Sequence, residues 1–259
     1  MSYYKVKALH EGIYSICEPD RVFCYLLVGE KEAILYDAAF GFGPLRACVA
    51  EITSLPVTVV LGHGHYDHAC GAVQFGGALI HPADEVLCRK HTSRTGRRRA
   101  LENNAQRVPP TLDHESFIHL GSGDLGPLEV GRVFDLGGME VEAVALEGHT
   151  AGSVGLLVRQ RRVLLVSDAL GPHQWLYLQD SLPMADYIAM LERVQSLPFD
   201  TFYTGHSNIP RPKTEIDRYK AVAQNATPEK ATPYSYLPEL GGMLYEEGDI
   251  GIIFNPDKI

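Results

Sequence analysis

The stretch LGHGHYDHACG, residues 61–71, places three histidines and one aspartate within six consecutive positions. The whole chain of 259 residues has only 11 histidines, so this local density indicates a shared chemical purpose. An apolar, β-branched run at 57–61 precedes the cluster and predicts a buried strand that ends abruptly at Gly62. Loops at strand ends commonly carry binding and catalytic side chains.

The spacing inside this stretch predicts two metal sites. In an extended segment alternate side chains share a face, so His63 and His65 are expected to point the same way. Asp67 and His68 follow where the chain turns toward a predicted helix, and they project to another side. Imidazole and carboxylate groups are common transition-metal ligands. The alternative is a set of structural histidines held by hydrogen bonds.

Composition and charge bound the classes of function. The hydrophobic content of 45% and the charged content of 21% are typical of a soluble globular protein. No apolar run reaches the ~18 residues of a membrane span, and the start MSYYKVKALHEG does not resemble a signal peptide, so we expect a cytoplasmic protein without a membrane partner. A formal net charge of −9 disfavours nucleic acid and favours a small-molecule substrate. Five cysteines without a CxxC pair predict reduced thiols.

Strand and helix patterns are mixed along the chain, and the apolar strands predict an α/β fold with strands buried on both faces. We expect a single domain over 1–259, with an insertion of roughly 90–126 as a lid and a C-terminal helix and hairpin within 211–259. Strands are predicted at 12–17, 22–28, 33–37, 57–61, 132–136, 139–146, 153–158, 163–167 and 201–204. Helices are predicted at 45–55, 83–91, 184–197 and 213–225.

The two halves of the chain repeat one pattern. YLLVGEKEAILYDA at 25–38 resembles GLLVRQRRVLLVSDA at 155–169, and each is followed by a helix closing in Ser-Leu-Pro and a strand ending in Gly-His. This order predicts a duplication, in which His206 lies at the same end of the fold as His63. General similarity between hairpins is the alternative interpretation.

Three further polar residues follow apolar strands in glycine-rich contexts: His149 in LEGHTAGS, Asp168 in LLVSDALG and His206 in FYTGHSN. Each alone could cap a turn. A lone carboxylate at the end of an apolar run is costly to bury unless it is paired or bound to metal. Together with the hexapeptide, the three residues are more simply interpreted as metal ligands.

The ordered set of Asp37, HGHYDH, His149, Asp168 and His206 resembles the metallo-β-lactamase-fold hydrolases over nearly the whole chain. The resemblance implies a four-layer αββα sandwich of two duplicated halves, with its metal site at one edge of both sheets. It also implies a first ion held by His63, His65 and His149, and a second held by Asp67, His68 and His206, with Asp168 bridging the two. Asp37 is expected to orient ligands by hydrogen bonding, or else to cap a turn.

The implied chemistry is hydrolysis of an ester, thioester or lactone. Two ions about 3.5–4 Å apart can share a water, lower its pKa toward ~7 and hold a bridging hydroxide ready to attack. Asp67 is expected to orient the metal-bound water, and Asp168 is expected to serve both ions. Nitrogen and oxygen ligands favour two zinc ions, and iron and manganese stay open.

Differences between this chain and individual branches of the family favour the glyoxalase II and lactonase branches over the others. Metallo-β-lactamases usually have cysteine or serine at the position of Asp168, and flavodiiron proteins have glutamate in place of His65. The 53 residues that follow His206 include a predicted helix and a Gly/Pro-rich tail, so we do not expect a full helical domain of the glyoxalase II type. The tyrosine that lactonases place shortly after the bridging aspartate is absent, the nearest being Tyr177. A mononuclear iron persulfide dioxygenase is the first alternative, and a phosphodiesterase, nuclease or β-lactamase is the second.

The substrate side is less determined by the sequence. Trp175 and Tyr177 follow Asp168 and are candidates for substrate contact, or else packing aromatics. Four arginines between 94 and 99 could bind a carboxylate or phosphate of the substrate, or form a solvated helix face. A homodimer stays open.

Overall fold

Alternation of apolar residues builds a first sheet that is buried on both faces. On the third of its seven strands Phe23, Tyr25 and Leu27 face a second sheet, while Cys24 and Leu26 face helices. In spatial order its strands are β1 (Lys5–His10), β2 (Ile13–Glu18), β3 (Val22–Val28), β4 (Ala33–Tyr36), β5 (Val57–Val60), β6 (Gly77–Ile80) and β7 (Asp124–Pro127). The computed structural model describes residues 3–19, 21–237 and 240–258.

The second sheet repeats this design with residues of the second half. Leu156 and Val158 join the core between the sheets, whereas Leu157 packs toward helices. In spatial order its strands are β14 (Ser207–Pro212), β13 (Thr201–Thr204), β11 (Val163–Leu165), β10 (Val154–Val158), β9 (Glu140–Ala145) and β8 (Val133–Asp135).

A third, smaller sheet lies beside the second and is built largely from the end of the chain. Its order is β12 (His173–Leu176), β17 (Ile250–Phe254), β16 (Met243–Glu247) and β15 (Thr232–Pro233). The helices of the described residues are α1 (Leu45–Ala50), α2 (Tyr66–Ala69), α3 (Pro82–His91), α4 (Arg94–Asn103), α5 (His114–Ile118), α6 (Met184–Val194) and α7 (Glu215–Asn225).

The layers follow the order that the family resemblance implies. Helices of the first half cover the outer face of the first sheet, and α6 and α7 cover the outer face of the second. The predicted αββα sandwich is therefore confirmed. The repeat is also confirmed in topology: β3 and β4 form an antiparallel hairpin followed by the parallel strand β5, and β10 and β11 form one followed by the parallel strand β13.

Several elements differ from the sequence-based expectation. Helix α1 ends at Ala50, five residues before the predicted end. Strands β1, β6, β7, β12 and β14 and helix α5 were not predicted, because short or polar segments carry little periodicity. All five cysteines are free thiols. No helix in the described ranges is long and apolar enough to cross a bilayer.

Candidate metal centre

The sequence-predicted ligands lie at one edge of the sandwich because each follows the carboxyl end of a strand. Asp37 follows β4, and the hexapeptide 63–68 follows β5. In the second half His149, Asp168 and His206 follow β9, β11 and β13 in the same sense. Parallel placement of these strands brings residues from distant parts of the sequence to a common edge.

Three imidazoles form a first group of potential ligands. The Nε2 atoms of His63 and His149 each lie 3.0 Å from Nδ1 of His65. The three side chains are buried, and each offers one nitrogen within 4.8 Å of the other two. This group has the composition expected for the first ion.

Two carboxylates and two imidazoles form a second group beside the first. Nε2 of His68 lies 3.5 Å from Oδ2 of Asp67, and Nε2 of His206 lies 3.6 Å from the same oxygen. His68 is fully buried, whereas the side chain of His206 is 48% exposed and forms the rim of the site. An opening to solvent therefore lies on the His206 side.

Asp168 stands between the two groups and faces both. Its Oδ1 lies 3.4 Å from Nε2 of His68, and its Oδ2 lies 3.2 Å from Nε2 of His206. The same Oδ2 lies 3.9 Å from Nε2 of His149, which belongs to the first group. One carboxylate thus reaches ligands of both groups, as a bridging ligand must.

The outward nitrogen of each of the five imidazoles contacts a protein atom that can accept its proton. Such outer contacts fix the tautomer and the rotation of a metal-binding imidazole. The partners are Ser167 Oγ for His63, Asp180 Oδ2 for His65, Asp37 Oδ2 for His68, the Trp175 carbonyl for His149 and the Arg21 carbonyl for His206. With one proton on each outward nitrogen, the inward nitrogens would direct lone pairs into the two groups, as metal binding requires.

Two buried polar atoms support a divalent cation at this place. His68 Nε2 and Asp168 Oδ1 have no hydrogen-bond partner within the described parts of the chain. Buried polar atoms left without partners are rare because desolvation costs about 1–3 kcal/mol each. A cation bound between them would satisfy both, so the residues present fit a metal centre.

Burial favours the neutral form of two imidazoles in the first group, whereas the Asp180 carboxylate, acting against burial, raises the pKa of His65. Burial, followed by the charge of neighbouring histidines, lowers the pKa of His63 well below its ordinary value, and burial and His65 lower the pKa of His149. Both rings are therefore neutral near pH 7, which is the form that binds metal. Burial opposes ionisation of Asp168, but the charges of His206 and His68 hold the pKa of Asp168 well below its usual range.

Asp37 joins the two halves below the site. Its Oδ1 accepts a hydrogen bond from the Gly62 amide at 2.7 Å, and its Oδ2 accepts from His68 Nδ1 and from Ser167 Oγ. Asp37 and Ser167 both have positive φ, 62° and 48°, which is uncommon outside glycine. The chain turns sharply at these two residues, which follow β4 and β11, and each turn directs its side chain toward the other half.

The repeated Gly-His pairs have a steric reason. A Cβ built on Gly62 would lie 2.6 Å from Cβ of Ser167, and one built on Gly205 would lie 2.6 Å from Cε1 of His68. Either contact is too short for real atoms, so only glycine lets each strand end approach the opposite half. This explains why the Gly-His pair occurs in both halves of the sequence.

Two further aspartates support the site without having been predicted. Asp84 is buried at the start of α3 and accepts hydrogen bonds from the amides of Gly64 and Gly152 and from the Thr150 hydroxyl. It thereby ties the hexapeptide loop to the His149 loop. Asp180, in the loop after β12, contacts His65. Neither residue stands in a recognisable motif, so spacing alone could not identify it.

The aromatic residues after Asp168 differ in accessibility. Trp175 is half-buried, and its ring lies 5.5 Å from the exposed ring of Tyr236. Tyr177 is only 1% exposed and packs between Trp175 and Tyr234. We therefore correct the expected role of Tyr177 from substrate contact to support of Trp175, because a buried ring cannot meet a substrate from solvent.

The arginine-rich segment forms α4, and its members do not act alike. Arg97 is fully buried and donates to the carbonyls of Thr92, Cys70 and Gly121. Arg94, Arg98 and Arg99 are exposed. Arg97 is thus a structural anchor that holds α4 against the end of α2, and neither earlier interpretation of the run applies to it.

A family model described as the metallo-beta-lactamase superfamily matches residues 17–206. The chain is similar to the acyl-coenzyme A thioesterase MBLAC2 of Bos taurus, with 25% identity over 232 residues that cover 76% of this chain and 77% of the relative. The human protein of the same name is equally similar, with 25% identity over 232 residues.

Solved structures share the fold at low sequence identity. A metallo-beta-lactamase family protein of Thermus thermophilus, TTHA1429, superposes with a TM-score of 0.58 and 23% identity, covering 84% of this chain and 81% of that one. TTHA1623 in a di-iron-bound form superposes with a TM-score of 0.57 and 23% identity, covering 77% of this chain and 94% of that one.

Proposed function

Because the chain belongs to the metallo-β-lactamase superfamily and is a hydrolase, we propose that it hydrolyses thioesters of the acyl-coenzyme A class with two divalent metal ions. The proposed ligands of the first ion are His63, His65 and His149. Those of the second are Asp67, His68 and His206, with Asp168 shared. We propose zinc, since the donor set contains only nitrogen and oxygen atoms and both groups are compact.

The observation that carries the dinuclear assignment is the position of Asp168 between the groups. Its two oxygens face His68 and His206 on one side, and its Oδ2 also approaches His149 on the other. Unlike Asp37 and Asp84, whose carboxylates accept hydrogen bonds from backbone amides and hydroxyls, Asp168 has an Oδ1 with no hydrogen-bond partner among the described residues. Two adjoining groups, one with three neutral ligands and one with two carboxylates, match a site in which each ion has a different task.

Bound at these residues, the ions would polarise a carbonyl oxygen and lower the pKa of an attacking water. The chain's own residues supply orientation. The side chain of Asp67 is 21% exposed, so it can accept a hydrogen bond from a water that enters at the rim, and we assign it the orientation of that water. Outer contacts such as Asp37 to His68 keep the ligands in place throughout.

Substrate class is inferred from the relatives and from the surface beside the site. The MBLAC2 proteins are named acyl-coenzyme A thioesterases. Trp175, whose carbonyl holds His149, presents its ring together with Tyr236, which is 66% exposed. Exposed aromatic rings next to a polar centre bind apolar groups such as an acyl chain. This pairing of an apolar surface with a hydrolytic centre favours an acyl thioester.

The test is a hydrolysis screen on protein of defined metal content. Acyl-coenzyme A thioesters of several chain lengths, simple esters, lactones, a β-lactam and bis(p-nitrophenyl) phosphate are compared at equal concentration. We expect thiol release from acyl-coenzyme A to have the highest kcat/KM, about two zinc ions per chain, and loss of activity on chelation that zinc restores. Preference for the phosphodiester would contradict the proposal, as would one iron with oxygen uptake on glutathione persulfide.

A further inference from the structure

Residues 173–182, which we call the brace segment, contact the outer side of the three-histidine group. The carbonyl of Trp175 accepts a hydrogen bond from His149 Nδ1 at 2.9 Å, and Asp180 Oδ2 lies 2.6 Å from His65 Nε2. Ser181 Oγ donates to the carbonyl of His149 at 2.9 Å. Two of the three imidazoles in the first group therefore depend on this one segment.

The two contacts select opposite tautomers. His65 directs Nδ1 toward His63 and His149, so its proton must lie on Nε2, where the carboxylate of Asp180 accepts it. His149 directs Nε2 inward, so its proton lies on Nδ1 and is donated to a carbonyl. Wrong tautomers would present an N–H to the ion instead of a lone pair.

The brace segment is itself held by the end of the chain. Strand β12 pairs in parallel with β17, and the Gly251 amide donates to the Pro172 carbonyl at 2.7 Å. The ammonium of Lys258 donates to the carbonyls of Leu178, Gln179 and Ser181, at 3.3, 3.0 and 2.7 Å. These three acceptors surround Asp180 in the sequence, so one cation fixes the loop that carries it.

The holding residues lie outside the part of the chain that defines the family. The family model matches residues 17–206, whereas β17 and Lys258 come later. A lysine ammonium has three donor hydrogens, and here each has a carbonyl acceptor. Replacement of the ammonium would leave those carbonyls to water and would release the loop.

We propose that the C-terminal tail, residues 250–258, is a positioning element of the three-histidine group, which acts from Lys258 through the loop at 178–181 and from Asp180 to His65. This inference rests on the ligand set proposed above. It assigns a function to a segment that the sequence suggested was only a closing hairpin. Asp180 and Lys258 are positioning residues, since they act through His65.

The first test compares Asp180→Ala with Asp180→Asn. Zinc affinity is measured by chelator competition in the full-length protein, and the metal-free forms are compared by thermal unfolding to show that they are folded. We expect Asp180→Ala to weaken one of the two ions by about 10–100-fold and to leave the other unchanged. Asp180→Asn keeps an oxygen acceptor and should restore part of the loss.

Asp249→Asn is the matched control. Asp249 lies in the turn between β16 and β17 and pairs with Arg218 on the surface, so the same charge is removed within the C-terminal hairpin without touching the brace segment. It should leave both zinc affinities at the wild-type value. An Asp180→Ala protein that binds both ions as tightly as the wild type would overturn the inference.

The second test removes the clamp at Lys258. Lys258→Met keeps an unbranched side chain one atom shorter than lysine and should weaken the same ion as Asp180→Ala, whereas Lys258→Arg should retain most of the affinity. Lys258→Gln gives the same comparison if the Met variant does not fold. Unchanged affinity in the uncharged variants contradicts the role of the tail. A wild-type protein that binds fewer than two ions contradicts the ligand set instead, and no result depends on the substrate.

Discussion

The hydroxyl of Ser167 donates to the carboxylate of Asp37 at 2.6 Å, across the boundary between the two halves of the sandwich. Each residue also holds an imidazole: Asp37 accepts from His68, and Ser167 lies 3.2 Å from Nδ1 of His63. One buried contact therefore connects a ligand of each proposed ion. A substitution at Ser167 or Asp37 should therefore affect the binding of both proposed ions.

Loss of the Ser167 hydroxyl should weaken the centre. Ser167→Gly removes the hydroxyl, and glycine tolerates the φ of 48° found there. We expect the free energy of unfolding to fall by about 1–3 kcal/mol, because buried partners lose their hydrogen bonds, and zinc affinity to fall measurably. Urea unfolding and chelator competition test this. Ser122→Gly is the control, because among the described residues the Ser122 hydroxyl bonds only its neighbour's carbonyl. An equal effect there would contradict the expectation.

Replacement of Asp168 should differ from replacement of His149. Asp168 approaches His68, His206 and His149, so Asp168→Ala should lower the occupancy of both ions. His149 belongs to one group only, so His149→Ala should remove one ion and lower kcat by orders of magnitude. Elemental analysis after dialysis distinguishes the two patterns. Full metal content and turnover in His149→Ala would refute the ligand set.

Arg97 should matter for stability although its neighbours in the arginine run do not. Its guanidinium is fully buried against Phe117 and donates to three carbonyls. We expect Arg97→Ala to cost about 2–5 kcal/mol, because two buried and one partly buried carbonyl lose their donor. Arg98→Ala, the next residue and exposed, should change the free energy of unfolding by about 0.5 kcal/mol or less. Chemical denaturation compares them, and similar costs would contradict the anchor role.

Glu18 should make stability depend on pH. Its carboxyl accepts from the amides of Phe40 and Phe42, and burial raises the pKa of Glu18 to about 7 from an ordinary value of 4.5. Between pH 4.5 and about pH 7 the folded protein therefore binds more protons than the unfolded chain. The stability that protonated Glu18 contributes is fully present below about pH 4.5 and is lost as the pH rises through about 7.

The measurement for Glu18 is a series of urea unfolding curves between about pH 4.5 and about pH 8 for the wild type and Glu18→Gln. Glutamine resembles the protonated acid and does not titrate. We expect the wild type to lose stability relative to Glu18→Gln as the pH rises through this range, and titrating histidines cancel in the difference. A difference that is independent of pH would show that Glu18 does not titrate there.

The sequence, through its family resemblance, was sufficient for the fold and for the candidate residues that the structure brings together in two groups. The sequence features used for this were local: the spacing of HGHYDH, the repeated hairpins and the two Gly-His pairs. Strand periodicity shows where each preceding strand ends, and therefore that HGHYDH and the Gly-His pairs follow carboxyl ends of strands. Gly62 and Gly205 stand out in the sequence as a repeated Gly-His pair, because neither position has room for a Cβ.

The outer contacts could be known only from the tertiary structure. Asp180 lies 115 positions from His65, and Lys258 lies 77 positions from the Ser181 carbonyl that it contacts. No periodicity connects residues at such separations, because their proximity results from how whole sheets pack. The same reason explains Tyr177 and Arg97: an aromatic ring or a guanidinium has the same sequence signature whether it is exposed or buried, and packing alone decides which it becomes.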